Sequence, residues 1–176
     1  MTLRLLPVGP GLLGRLDALA ADLAGALRIS CKVETVPQDV EFAYSIDRRQ
    51  YYSTQILGAI PDGTLAVSPH DLYVPILTFV FGEAQLRGSR AVVSTWRLRE
   101  EYYGLDPDES KLRERLLKES LHELGHNFGL RHCDDWRCVM ASSHNVETLD
   151  LKLPAFCPRC RPLVRVPGQP GMSPSR

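Results

Sequence analysis

Leucine and alanine recur at intervals of three and four from Leu12 to Leu27, the period of a helix with one apolar stripe. Leu3 to Val8 before it is a short apolar run that reads as a strand, and Cys31 to Val36 after it alternates as one. A second helix is expected over about Asp47 to Leu57, and a third strand over Thr64 to Ser68. Strands and helices in that order predict a largely parallel sheet with right-handed crossovers. Leu77 to Leu86 and Ala91 to Leu98 flank Arg87-Gly88-Ser89-Arg90, a hairpin signal. Leu112, Leu116, Leu117, Leu121, Leu124 and Phe128 then return at helical spacing, with Lys111, Arg113, Glu114, Arg115, Lys118 and Glu119 on the other face. This predicts a long helix from about Pro107 to Phe128. Asp106 would be its N-cap, Pro107 its first residue, and Glu109 would close a capping box. The pattern describes an α/β chain with a mixed, mostly parallel sheet supporting one long helix.

The end of that helix carries the chemistry. His122-Glu123-Leu124-Gly125-His126-Asn127-Phe128-Gly129-Leu130-Arg131-His132 reads H-E-x-x-H-x-x-G-x-x-H. Histidines four apart lie on one face of a helix, so His122 and His126 can address one ion. Glycine adopts left-handed backbone cheaply, so Gly129 permits a sharp exit that returns His132 as a third ligand. Three protein ligands leave a fourth position for water, as in a catalytic zinc site. Zinc would acidify that water and polarise a peptide carbonyl. Glu123, about 100° round the helix from His122, would take the proton and pass it to the leaving amine. H-E-x-x-H alone is common on solvated helices, but Gly129 and His132 at fixed offsets give every position a role.

Four of the five cysteines follow at once, Cys133, Cys138, Cys157 and Cys160, spaced C-x4-C, a long gap, then C-x2-C. This suits a structural zinc held by four thiolates. The alternative, two disulfides, needs an oxidising compartment, and the N-terminus, broken by Pro7, Gly9, Pro10, Arg15 and Asp17, is a poor signal peptide. Arg131, Arg137, Arg159 and Arg161 flank the cysteines, and cations there favour thiolates. The reading is therefore two zincs per chain, one catalytic and one structural. A zinc-stabilised peptide-binding module without turnover is the rival, though binding alone would not need Glu123.

Composition narrows the partners. Lys and Arg total 21 and so do Asp and Glu, giving a net charge of zero, which gives no reason to expect nucleic acid or a membrane surface. No apolar stretch approaches the roughly 18 residues of a membrane span. The expectation is a cytoplasmic monomer acting on a peptide or small protein. Residues 1–166 would form one catalytic domain, with 133–166 its small cysteine-zinc subdomain, and 167–176, rich in Pro, Gly and Ser, a disordered tail. Cys31 reads as a buried core cysteine and His70 as a surface histidine. His144 and Asn145, just beyond Met140, are candidate substrate contacts; an ordinary loop pair is the alternative.

The run H-E-x-x-H-x-x-G-x-x-H-C-x4-C-x-M, followed by the spaced C-x2-C, resembles the archaemetzincins, a branch of the metzincin zinc peptidases. The resemblance covers His122 to Cys160, with a weaker likeness through Asp71-Leu72-Tyr73 and Phe79-Val80-Phe81-Gly82-Glu83-Ala84. Sixteen residues separate Met140 from Cys157, one fewer than the family pattern leads us to expect. The resemblance implies that His122, His126 and His132 hold the catalytic zinc with Glu123 as base, and that Met140 is the Met-turn residue, an apolar floor under the metal. It likewise implies that the four cysteines hold the second zinc, and that aminopeptidase activity is a possibility. Metzincins bind substrate extended along an edge strand, which makes Phe79 to Leu86 the candidate edge.

Overall fold

The structure is a computed structural model and describes residues 2–164; the expected tail lies outside the described residues. The chain runs β1 (Thr2–Pro7), α1 (Leu13–Leu27), β2 (Ser30–Val33), β3 (Tyr44–Ser45), β4 (Gln50–Tyr52), α2 (Ser53–Ala59), β5 (Thr64–Ser68), β6 (Leu72–Tyr73), β7 (Gly82–Ala84), β8 (Arg90–Ser94), α3 (Glu109–Asn127) and α4 (Val146–Leu151). Five strands form the main sheet in the order β2-β1-β5-β8-β7. Its first three pairings are parallel and only β7 runs antiparallel. The fold is therefore the mixed, mostly parallel α/β sheet with one long helix that the periodicity describes.

Alternate strand residues face opposite sides of a sheet, and here both sides are covered. Leu3, Leu5, Leu65, Val67, Ala91 and Val93 pack with α1 and α3 residues such as Leu16, Leu23, Leu116 and Leu124. Leu6, Ala66 and Val92 face the other way, onto Ile56 and Leu57 of α2. This explains why β5 reads as an unbroken buried run, as parallel strands do when covered on both faces.

Three boundaries differ from expectation. The long helix is capped by Asp108, whose side chain accepts from the Lys111 N–H at 2.9 Å, and not by Asp106. Glu109 is thereby the first helical residue, too early to close a capping box, and it pairs instead with Arg15 of α1 at 3.1 Å. The expected helix at Asp47 begins only at Ser53. Before it, β3 and β4 form a hairpin with Tyr44 opposite Tyr51 and Arg49 in left-handed backbone, so the aromatic residues took the extended pairing. Finally, the strand expected over Leu77 to Leu86 shrinks to Gly82–Ala84. The segment before it is a loop, fastened by the Arg48 guanidinium on the carbonyls of Pro75 and Leu77.

α3 is held to the C-terminal part of the chain by a buried cation. Arg115 lies bidentate on Asp150 of α4, at 2.7 Å for each bond, and donates to the Leu98 carbonyl at 2.8 Å. The same guanidinium lies 2.8 Å from the buried Glu100. Removing one partner of such a group strands the other charge. Arg115→Ala should cost about 3 kcal/mol of unfolding free energy, read as a lower urea midpoint with an unchanged slope.

Candidate active site

The histidine end of α3 is shaped by how the helix stops. The Gly129 N–H donates to the His126 carbonyl and the Leu130 N–H to the Gly125 carbonyl, both at 2.9 Å, with Gly129 at φ +93°. This is a Schellman termination, in which the residue after the cap must be left-handed. The turn buries Leu130 and reverses the chain, bringing the His132 ring centroid to 5.2 Å from that of His122 and 5.1 Å from that of His126.

Two backbone carbonyls orient the first two rings. His122 Nδ1 donates to the Val139 carbonyl at 2.8 Å, and His126 Nδ1 to the Leu130 carbonyl at 2.9 Å. Each ring then presents an unprotonated Nε2 to the other, and these nitrogens are 3.1 Å apart. Two facing lone pairs repel unless a cation accepts both. At the usual zinc–imidazole distance a tetrahedral ion would place them about 3.4 Å apart, so this donor set fits a zinc ion. One ligand atom from each of the three histidines falls within 4.8 Å of the others. Burial, reinforced by the Lys152 charge, draws the His122 pKa down to about 3, which keeps it neutral as a ligand must be.

Glu123 lies beside them, buried. Burial pushes its carboxyl well above the ordinary range, and the Glu119 and Glu83 carboxylates add to the rise. It rests against β7. A Cβ at Gly82 would sit 2.8 Å from Glu123 Cγ, 2.8 Å from its Oε1 and 2.8 Å from the Val92 carbonyl oxygen. Gly82 is therefore glycine because the Glu123 side chain occupies its space. Met140 is fully buried, and a Cβ at Gly125 would collide with its Sδ and lie 3.2 Å from Phe156 Cε1. The sequence reading missed both close approaches. F-G-E-A and H-E-L-G-H display the glycines, but only packing reveals what each makes room for.

The four cysteines form a second group. One ligand atom from each of Cys133, Cys138, Cys157 and Cys160 falls within 4.8 Å of the others. All four are free thiols, and Cys133 Sγ is 3.8 Å from Cys157 Sγ. A disulfide would bring two sulfurs to about 2.05 Å, whereas a tetrahedral zinc at usual bond lengths spaces them about 3.8 Å. The Met140 and Cys157 N–H groups point at Cys138 Sγ, at 3.5 and 3.3 Å, and Arg159 reaches Cys133 Sγ at 3.8 Å. Donors around the sulfurs suit thiolates. The two groups are joined through the backbone: the Cys133 N–H donates to the Met140 carbonyl at 2.9 Å, directly after His132.

Other expected residues fare unevenly. The Asn145 side chain caps α4, accepting from the Thr148 N–H at 2.9 Å, which accounts for it without a substrate. His144 is exposed and near enough for its charge to affect His132. His70 is half-buried and stacks on Tyr51 with centroids 4.1 Å apart, so it is not a free surface histidine. Cys31 packs against the main core, with burial raising its thiol pKa. The edge strand is fastened to the helix: Asn127 Nδ2 donates to the Gln85 and Arg90 carbonyls at 2.9 Å each, and the Arg87 N–H to the His126 carbonyl at 2.9 Å.

Residues 8–165 match the profile of Peptidase family M54. The chain belongs to that family. Members of it with the name archaemetzincin are similar across most of the chain. The protein of Methanocaldococcus jannaschii is 47% identical over 68% of this chain and 68% of its own. That of Methanopyrus kandleri is 38% identical over 91% and 90%. The crystal structure of the Archaeoglobus fulgidus archaemetzincin, complexed with malonate, superposes with a TM-score of 0.84 at 36% identity, covering 93% of this chain and all of that one (100%). A zinc-dependent peptidase from Methanocorpusculum labreanum gives the same TM-score, 0.84, at 30% identity. This M54 protein is thus a zinc metallopeptidase by family. No helix among its described residues is long and apolar enough to cross a membrane.

The glycine contacts give a direct test. Gly82→Ala must displace the Glu123 side chain or the Val92 carbonyl, and should lower peptidase kcat by at least about tenfold while zinc content stays at the wild-type value. Gly125→Ala should cost about 1–3 kcal/mol of stability by overpacking against Met140, seen as a reduced thermal midpoint.

Proposed function

We propose that the chain hydrolyses peptide bonds at a zinc held by His122, His126 and His132, with Glu123 as general base, and that a second, structural zinc is held by Cys133, Cys138, Cys157 and Cys160. The observation that carries this is the pair of Nε2 atoms turned face to face at 3.1 Å, each fixed by a carbonyl on its Nδ1. When bound, zinc supplies Lewis acidity and an acidified water. The chain supplies the rest. Glu123, its pKa raised by burial, is a stronger proton acceptor than an exposed carboxylate and can return that proton to the leaving amine. Met140, packed against Gly125, gives the histidines an apolar floor.

The edge strand supports a peptide as substrate. The Phe81 carbonyl accepts from the Ser94 N–H, and the Gln85 N–H donates to the Arg90 carbonyl. Alternation in an antiparallel pair then turns the backbone groups of Gly82 and Ala84 away from β8. An extended peptide could pair with that free edge, beside the Glu123 carboxylate. His144 remains a candidate substrate contact from the opposite side. Residues 133–164 act in this reading as a region whose folding the cysteine zinc stabilises.

Elemental analysis of protein purified without added metal should find two zincs per chain, falling to one in His126→Ala. Glu123→Gln should keep both and lose about 10²–10⁴-fold in kcat, measured on a peptide library. Undiminished turnover in Glu123→Gln would remove the general-base role, and a zinc content indifferent to His126→Ala would remove the histidine site.

A further inference from the structure

Next to the carbonyl that accepts from His122 Nδ1 lies a buried, sparsely partnered pair of charges. Lys152, the residue that ends α4, has its side chain 1% exposed, and Glu119, on α3, is 5% exposed. Their charged atoms are 3.9 Å apart, beyond hydrogen-bonding range, and Glu119 Oε1 has no hydrogen-bond partner among the described residues. An ammonium has three donors. The acceptor that Lys152 Nζ reaches is the Val139 carbonyl, at 3.4 Å. The other buried lysine on α3 is a contrast: Lys118 pairs with Glu114 at 2.7 Å and donates to the Asp150 carbonyl at 3.1 Å, so it is well partnered. A loosely satisfied buried pair is a poor device for stability, and replacing both members by neutral groups is often neutral or stabilising.

What Lys152 does touch is informative. The Val139 carbonyl is the one that accepts from His122 Nδ1 at 2.8 Å. A carbonyl oxygen has two lone pairs, and here one serves the imidazole and the other faces the ammonium. Val139 is also followed directly by Met140, and the segment containing it is paired with the segment following Lys152: the Val139 N–H donates to the Ala155 carbonyl at 3.0 Å, and the Leu153 N–H to the Arg137 carbonyl at 2.8 Å. Glu119 lies three residues before His122 and four before Glu123, on the same side of α3, with the Lys152 ammonium 3.9 Å from its Oε1.

We propose that Lys152 is a positioning residue for the histidine site: it grips the Val139 carbonyl opposite His122 and so fixes the ring whose Nε2 faces the metal. The proposal rests on the zinc reading above. Groups that orient a metal-ligating histidine commonly contribute 10–100-fold to metal affinity, and Lys152 would act one bond further out. Burial lowers the Lys152 pKa, and the Glu119 and Glu123 charges offset only part of that.

The test uses the full-length chain with Lys152→Met and Glu119→Gln combined, which removes both charges and strands neither. Zinc affinity at the histidines is read by competition with a chromophoric chelator, with His126→Ala providing the baseline of the cysteine site. In parallel, the exchange of the His122 Nδ1 proton is followed by NMR. The expected result is a folded protein, no less heat-stable than wild type. Its histidine site should bind zinc about tenfold or more weakly, and its His122 Nδ1 proton should exchange faster. Wild-type affinity and proton protection in the folded double variant would overturn the proposal. So would a double variant that fails to fold, since the pair would then be structural. If wild type and His126→Ala hold the same zinc, the zinc reading itself fails and takes the proposal with it.

Discussion

The hydrogen bond from His122 Nδ1 to the Val139 carbonyl joins two parts of the chain that are built differently. On one side is a helix whose position is set by the sheet and by leucine packing. On the other is the stretch Cys133 to Val164, mostly irregular apart from the short α4, with a cluster of four sulfurs. The bond is buried and short, so breaking it would leave a polar atom stranded on each side. Met140 under the rings, Cys138 in the sulfur cluster and the chain leaving His132 all lie within a few residues of that carbonyl or are tied to it by backbone bonds. The histidine geometry is thus a shared property of the scaffold and of the cysteine region.

That sharing explains the tandem arrangement of H-x-x-G-x-x-H-C. A helix can aim two imidazoles by itself because its period places them one turn apart. It cannot aim a third. The Schellman turn at Gly129 reverses the chain, but a reversal only sends His132 in the right general direction. Cys133, the next residue, is drawn to the other three sulfurs and donates its N–H to Met140. The return is thereby fastened one residue beyond His132.

Much of this is legible from the residues alone, for identifiable reasons. Helical and strand periods are local, so α1, β1, β5 and the long helix appear in the order of leucines and valines. Metal spacing is local too, so the three histidines and four cysteines stand out. What escapes is whatever depends on contact across the fold. Asp106 and Asp108 are equivalent caps in sequence, and the Arg15–Glu109 pair favours the later start. Tyr51 falls in the stretch read as helix, until the β3–β4 hairpin sets it opposite Tyr44. Gly82 is an unremarkable strand glycine until Glu123 fills the space beside it. Glu119 reads as a solvated charge on a polar helix face, yet it is buried, as is Lys152.

The hairpin carrying the edge strand is bolted to the histidine-bearing helix by the two Asn127 amide bonds and the Arg87 N–H. One wall of the cleft therefore cannot yield without pulling on His126 itself. If a peptide pairs with that strand as proposed, it meets backbone already fastened in place, and the ordering cost of association falls mainly on the peptide. The loop before β7, by contrast, exposes Ile76 and Leu77, and His144 is exposed as well. Tolerance of varied sequences and rigidity toward the scissile backbone then reside in separate parts of one small cleft.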